Sequence, residues 1–236
     1  MHCLILAGGL GTRLQEAVPD LPKCLAPVQG RPFLFWMVQM LFSKGVRQFT
    51  LSLGYQSEKI IQAIQDFPSH WRIDCVVEPR PLGTGGAVKY ALNRMAAENG
   101  VLICNGDTWL DVNLEAMLRP LSKDGSEKLR MGVIYVQNRS RYGGIVTEGL
   151  RLTGFQEKAA DGPGWINAGI YAINPKVFSE NNSGIEFSLE KTLLPKLANS
   201  RQVQVEHLHG NFIDIGIPAD YYRFCKLKLP EGFSSN

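Results

Sequence analysis

The hydrophobic pattern changes character near the middle of the chain. Up to about residue 120, short apolar runs alternate with stretches whose apolar residues recur every three or four positions. Cys3-Leu4-Ile5-Leu6-Ala7 is an unbroken apolar run, the mark of a short strand buried on both faces. Phe33, Leu34, Trp36, Met37, Met40 and Leu41 recur at helical spacing over residues 31–44, and Gly45 supplies the stop. Phe49, Leu51 and Leu53 alternate, which predicts a strand over 46–53. Ser57 is placed to cap a helix running to about Phe67. Residues 73–77 read as a strand ending at Glu78, residues 87–98 as a helix stopped by Gly100, and residues 101–104 as a fourth strand. This β-α-β-α-β-α-β order predicts a parallel sheet covered by helices on both faces.

After residue 121 strand-like segments dominate, at 130–136, 144–146, 151–155, 165–173, 203–208 and 211–213. Residues 187–198 are the next good helix. The chain is therefore expected to fold as one domain over 1–236, a Rossmann-like α/β three-layer sandwich with a mostly parallel central sheet. Its halves are 1–120 and a β-rich 121–236 that extends the same sheet.

In parallel sheets ligands bind beyond the carboxyl ends of the strands. The first such end carries Gly8-Gly9-Leu10-Gly11-Thr12-Arg13-Leu14. Its glycines permit positive φ and close approach of a ligand to the backbone. Successive N–H groups in such a turn make an anion-binding concavity, and Arg13 adds a planar fork suited to phosphate. The loop lacks the Gly-Lys-Ser/Thr ending of a P-loop, and the third glycine of a dinucleotide fingerprint would fall on Leu14. Downstream, Leu21-Pro22-Lys23-Cys24-Leu25-Ala26-Pro27-Val28 holds Lys23 between two prolines, extended and out of any helix. A second glycine-rich stretch, Leu82-Gly83-Thr84-Gly85-Gly86, precedes the predicted third helix, and Asn105-Gly106-Asp107 ends the fourth strand.

The combination of GGLGTRL, the Pro22-Lys23 pair and Pro27-Val28 resembles the sugar-1-phosphate nucleotidyltransferase family. The resemblance covers the whole chain and implies a nucleotide-binding first half and a sugar-binding second half. It places the triphosphate grip on Ala7, Gly8, Gly9, Gly11, Thr12, Arg13 and Lys23, with Gly83, Thr84 and Asp107 also facing the nucleotide. Asp107 and Asp214, the latter in Phe212-Ile213-Asp214-Ile215-Gly216, resemble the family's two metal-binding aspartates. Both follow apolar strands, and Mg²⁺ is usually held by one or two carboxylates plus substrate phosphates. Phe155-Gln156-Glu157-Lys158 resembles a segment whose glutamate holds sugar hydroxyls and whose lysine pairs with the sugar phosphate. Gly143 after Tyr142, and Asn167 in Trp165-Ile166-Asn167-Ala168-Gly169-Ile170-Tyr171, match further sugar-lining positions. Cys24 departs from the pattern, since proline often follows the lysine there. His207 and His209 alternate on a strand and are read as structural.

The implied reaction joins a nucleoside triphosphate to a sugar 1-phosphate, with Arg13, Lys23, Asp107 and Asp214 as the catalytic set and Mg²⁺ as cofactor. Glu78 stands where the family faces the base. An ionised carboxylate only accepts hydrogen bonds, and guanine alone offers two adjacent donors on its pairing edge, so GTP is the expected triphosphate. A mannose 1-phosphate guanylyltransferase or a uridylyltransferase of the same fold, and a binding protein that has lost the chemistry, stay open, as does a homo-oligomer.

Composition adds bounds. A net charge of +3 does not suggest nucleic acid as partner. No segment approaches the roughly 18 apolar residues of a membrane helix, and no signal peptide is read. The five cysteines are odd in number and form no CxxC pair, which argues against zinc and disulfides and for a cytoplasmic protein.

Overall fold

A computed structural model describes residues 1–95, 100–122, 124–156, 162–180 and 184–229. The expected parallel half is present. Strands β1 (His2–Leu6), β4 (Gln48–Leu53), β5 (Arg72–Val77) and β6 (Val101–Asn105) lie in the order β5-β4-β1-β6, all parallel, and a small ribbon of β2 (Pro27–Val28) and β3 (Arg31–Pro32) sits beside them. Helix α1 (Phe33–Ser43) follows that ribbon, with nine of its eleven residues buried. Such a helix is apolar nearly all round because both of its sides are covered. Phe33 meets Phe224 edge-on at 5.0 Å, and Trp36 Nε1 donates to the Val28 carbonyl at 2.9 Å.

Two helices of the first half depart from expectation. Ser57 is the first residue of α2 (Ser57–Ala63) rather than its cap; Gln56, at φ 51°, holds the cap position. Helix α3 spans Gly83–Leu92, so it begins inside the second glycine stretch instead of after it.

Strand β7 (Thr108–Val112), unpredicted, follows β6 at once. After the short α4 (Glu115–Leu118) come β8 (Leu129–Val136), β9 (Ile145–Glu148), β10 (Arg151–Phe155) and β11 (Gly164–Ile173). Helix α5 (Val177–Glu180) is short, and the helix expected over 187–198 divides into a π-helical turn, Leu189–Leu193, and α6 (Leu194–Asn199). Strands β12 (Val203–Leu208) and β13 (Gly210–Asp214) and helix α7 (Pro218–Cys225) complete the described chain.

The second half continues the first half's sheet: nine strands run β5-β4-β1-β6-β11-β8-β12-β10-β9. Strand β11 joins antiparallel to β6, which makes the sheet mixed. Side chains of β1 alternate between the two faces, with Cys3 and Ile5 in the layer holding α1 and α7, and Leu4 in the layer holding α3 and α6. That is the three-layer sandwich. Among the described residues no helix is long and apolar enough to cross a membrane.

Candidate active site

A cleft of about 600 Å³ opens over the carboxyl ends of β1, β4, β5 and β6. Of the predicted residues it is lined by Ala7, Gly8, Gly9, Lys23, Glu78, Gly83, Thr84 and Asp107. Sequence reasoning did not single out Ser52, Tyr55 or Asn105, which line it too. Asn105 is the first residue of the quoted Asn-Gly-Asp motif, so that signal was present. A second basin, of about 620 Å³ and lined by Lys44, Asp111, Glu115 and His209, holds none of the predicted residues.

The first loop leaves β1 with Ala7 N donating to the Ser52 carbonyl at 2.9 Å. Gly11 adopts φ 63°, in the left-handed region that glycine tolerates, and turns the chain into the one-turn 3₁₀ helix Thr12–Leu14. Leu14 is buried and anchors that turn, while Thr12 and Arg13 are exposed. A Cβ added at Gly11 would stand 3.1 Å from Lys23 Cβ, so the loop packs directly on the lysine segment. A Cβ at Gly9 would meet nothing within 4 Å.

The two aspartates lie far apart in sequence and are brought together by a ribbon. Strands β7 and β13 pair antiparallel, with Asp214 opposite Thr108, and Ile215 N donates to the Asp107 carbonyl at 2.9 Å. Gly106 lets the turn before Asp107 close against the end of β1: a Cβ there would stand 2.5 Å from the Leu6 carbonyl oxygen. Lys23 Nζ donates to Asp107 Oδ2 at 2.6 Å. Asp214 Oδ1 accepts from Gly216 N at 2.8 Å. Burial, and then the nearby Asp107 charge, raise the Asp214 pKa. Two carboxylates that repel one another in a partly desolvated corner suit a shared divalent cation. Among the described residues no third carboxylate, histidine or cysteine joins them, which leaves the other positions of an oxygen-ligand shell to water and phosphate.

Around these carboxylates stand three basic side chains. Lys23 is one; Arg13 is the second, since its Nη2 and Asp214 Oδ1 both flank the same face of Gly216. The third, Arg141, was missed, although it directly precedes the quoted Tyr142-Gly143. Its Nη1 donates to Asp220, and its Nη2 lies 3.8 Å from Asp214 Oδ2. Burial pushes the neighbouring Tyr142 hydroxyl up to about 12.

Glu78 reaches into the cleft from the end of β5. A Cβ on Gly54 would stand 2.5 Å from Glu78 Oε1, and one on Gly8 3.1 Å from it, so the carboxylate lies over the backbone of the first loop. Glu78 Oε2 accepts from Leu82 N at 3.2 Å, and burial raises the carboxyl's pKa.

The second glycine stretch is built differently. Gly83 has φ 71°, and a Cβ there would stand 2.6 Å from the Phe187 carbonyl oxygen. Gly85 N and Gly86 N both donate to that oxygen, at 3.0 and 3.1 Å. The Thr84 hydroxyl donates to Glu190 Oε2 at 2.6 Å and accepts from Leu189 N at 2.9 Å, so it is already engaged within the protein.

Asn167 Oδ1 accepts from Gly169 N at 2.9 Å, and its Nδ2 donates to the Tyr171 hydroxyl at 2.7 Å. Gly143 follows Tyr142, close to the Gln156 carbonyl. Glu157 and Lys158 lie outside the described residues. His207 and His209 set their rings against Trp165, at 4.3 and 6.0 Å between centroids.

Residues 2–229 match the family model described as Nucleotidyl transferase. The chain is 36% identical over 227 residues to D-glycero-alpha-D-manno-heptose 1-phosphate guanylyltransferase of Aneurinibacillus thermoaerophilus, with 96% of this chain and 97% of that protein covered. It is 33% identical to mannose-1-phosphate guanylyltransferase 1 of Arabidopsis thaliana, over 97% of this chain and 65% of that protein. Among solved structures, HddC from Yersinia pseudotuberculosis complexed with GMP-PN has a TM-score of 0.82 at 34% identity, covering 95% of this chain and 98% of that one.

Proposed function

The chain belongs to the nucleotidyl transferase family, and from that membership we propose that it condenses GTP with D-glycero-α-D-manno-heptose 1-phosphate to give the GDP-sugar and pyrophosphate. The observation that carries the reading is the meeting of Lys23, Asp107 and Asp214 at one end of the cleft that the first glycine loop borders. Nearly full-length similarity to heptose 1-phosphate guanylyltransferases supports the choice of substrates.

An oxygen of the sugar 1-phosphate attacks the α-phosphorus of GTP, and the bond to the β-phosphate oxygen breaks. The nucleophile needs no general base, because a phosphate monoester with a second pKa of about 6 is mostly dianionic at neutral pH. Catalysis is then positioning and charge neutralisation. The backbone N–H groups of Gly8, Gly9 and Gly11 cradle the triphosphate, with Thr12 at the loop's end. Arg13 and Lys23 offset charge on the α-phosphate and the leaving pyrophosphate. Lys23 is held at 2.6 Å from Asp107, beside the carboxylate corner. Asp107 and Asp214 would hold Mg²⁺, which would supply charge neutralisation to the reacting phosphates. Gly143, Glu157 and Asn167 hold the sugar, and Lys158 draws its phosphate in line. Glu78 reads guanine N1–H and the N2 amino group; each carboxylate oxygen has two lone pairs, so the bond from Leu82 N leaves Oε2 one to offer.

The continuous nine-stranded sheet supports treating both halves as one catalytic unit, and a supply of GTP suits a cytoplasmic enzyme. Mannose 1-phosphate is the second reading, favoured by the similarity to plant mannose-1-phosphate guanylyltransferases. One screen tests both: pyrophosphate release from four triphosphates against heptose, mannose and glucose 1-phosphates, with and without Mg²⁺. GTP with the heptose phosphate and Mg²⁺ is expected to give the highest kcat/KM. UTP performing as well as GTP, or no release with any pair, would overturn the proposal.

A further inference from the structure

Two hydrogen-bonded clusters, one holding Thr84 and Glu190 and the other Asn167 and Tyr171, meet where the Tyr171 hydroxyl faces Glu190, and hydrogen bonds fix the polarity within each. Gly169 N–H donates to Asn167 Oδ1, which leaves the Asn167 amide nitrogen to donate to the Tyr171 hydroxyl oxygen. The Tyr171 proton must then go elsewhere, and the Glu190 carboxylate faces it. Tyr171 is fully buried, where a hydroxyl without an acceptor is costly. Glu190 Oε2 also accepts from Thr84 Oγ1 at 2.6 Å and from Ser188 Oγ at 3.0 Å. Thr84 in turn accepts from Leu189 N at 2.9 Å. Thr84 lines the nucleotide cleft, yet its hydroxyl is turned to the protein. Glu190 sits on a π-helical turn, a departure from regular helix that is common at functional sites.

Resting on the reading of Asn167 as a sugar contact, we propose that Thr84, Glu190 and Tyr171 are positioning residues for the sugar 1-phosphate: through them the second glycine stretch fixes the orientation of the Asn167 amide. An amide free to flip presents its donor and acceptor in either order to the substrate hydroxyls; a tethered one presents a single order. The nucleotide-side residue Thr84 therefore governs affinity for the other substrate.

The test is calorimetric titration of heptose 1-phosphate and mannose 1-phosphate into enzyme saturated with a non-hydrolysable GTP analogue and Mg²⁺. Nucleotide affinity is measured separately. Thr84→Val and Tyr171→Phe are expected to weaken sugar-phosphate binding roughly five- to tenfold, the value of one net hydrogen bond. Nucleotide affinity should change less than twofold in Tyr171→Phe, whose side chain does not line the nucleotide cleft. Thr84→Ser keeps the hydroxyl and should restore sugar-phosphate binding, which a general loss of packing at this position would not predict. Asn167→Ala separates the layers of the argument. Undiminished sugar-phosphate affinity in Asn167→Ala would overturn the reading of Asn167 and this inference with it. A loss there, with Thr84→Val and Tyr171→Phe at wild-type affinity, would overturn the inference alone. So would a Thr84→Val effect confined to the nucleotide.

Discussion

Two glycine-rich stretches border the same cleft, and they use glycine for opposite reasons. In the first, Gly9 has open space where a side chain would sit, and Gly11 turns the backbone at φ 63° toward Lys23. At Gly9 the absent side chain leaves room for a ligand. In the second, the room is filled by the protein itself. The Phe187 carbonyl and ring and the Ile185 carbonyl occupy the places where side chains of Gly83, Gly85 and Gly86 would go. The helix that starts there is bound to the 185–190 segment, and only Gly83 and Thr84 of the stretch line the cleft. Similar composition therefore leaves open space beside Gly9 in one place and makes a packing joint in the other. What separates them is the long-range neighbour.

The comparison is broken most forcefully at the carboxylates beside the first loop. Asp107→Asn and Asp214→Asn should each abolish Mg²⁺-dependent turnover with the fold intact, because a neutral amide is a poor Mg²⁺ ligand. Near-normal pyrophosphate release from either variant would remove the metal assignment. Lys23→Ala should lower kcat by on the order of 10²–10³, the usual cost of one preorganised charge-stabilising group. An effect on KM alone would mean that Lys23 binds ground state and transition state equally.

Gly83→Ala moves the perturbation to the second stretch and to stability. A Cβ there combines positive φ with a backbone oxygen at 2.6 Å, so a loss of about 2–3 kcal/mol is expected in denaturant titration. Glu78→Gln lies between the two stretches. It should reduce the preference for GTP over UTP by up to the 1–3 kcal/mol of one bidentate contact, read from kcat/KM for the two triphosphates. The smallest effect on the fold belongs to Gly9→Ala. With nothing within 4 Å of the new methyl group, unfolding free energy should move by less than about 0.5 kcal/mol while KM for GTP rises. A Gly9→Ala variant as unstable as Gly83→Ala would erase the distinction between the stretches.

Much of this was legible from local pattern. The apolar run before Gly8, the period-two segment ending at Leu53 and the helical spacing from Phe33 to Leu41 are short-range signals, and each became the element expected. The parallel half and the sheet-extending second half followed from their order. The catalytic candidates Lys23 and Asp107 stood in motifs at strand ends, and the tertiary structure joins them by an ion pair. Strand β7 was not legible, because the Asn105-Gly106-Asp107 turn was read as the end of a strand and not as the start of another, and among the described residues Thr108–Val112 pairs only with a strand about a hundred residues later. Arg141 and Glu190 were missed for a related reason: a charged residue shows its use only through partners distant in the chain.

The sequence by itself determined most of the strands and helices and where glycine and proline would turn the backbone, since periodicity, proline and glycine act on nearest neighbours. Only the tertiary structure decided that Asp107 and Asp214 share a corner, that Phe187 fills the second glycine stretch, and that the Thr84 hydroxyl turns toward Glu190. Those outcomes depend on which surfaces meet across the sheet, and that is set by burial of the whole apolar complement at once rather than by any short run of residues.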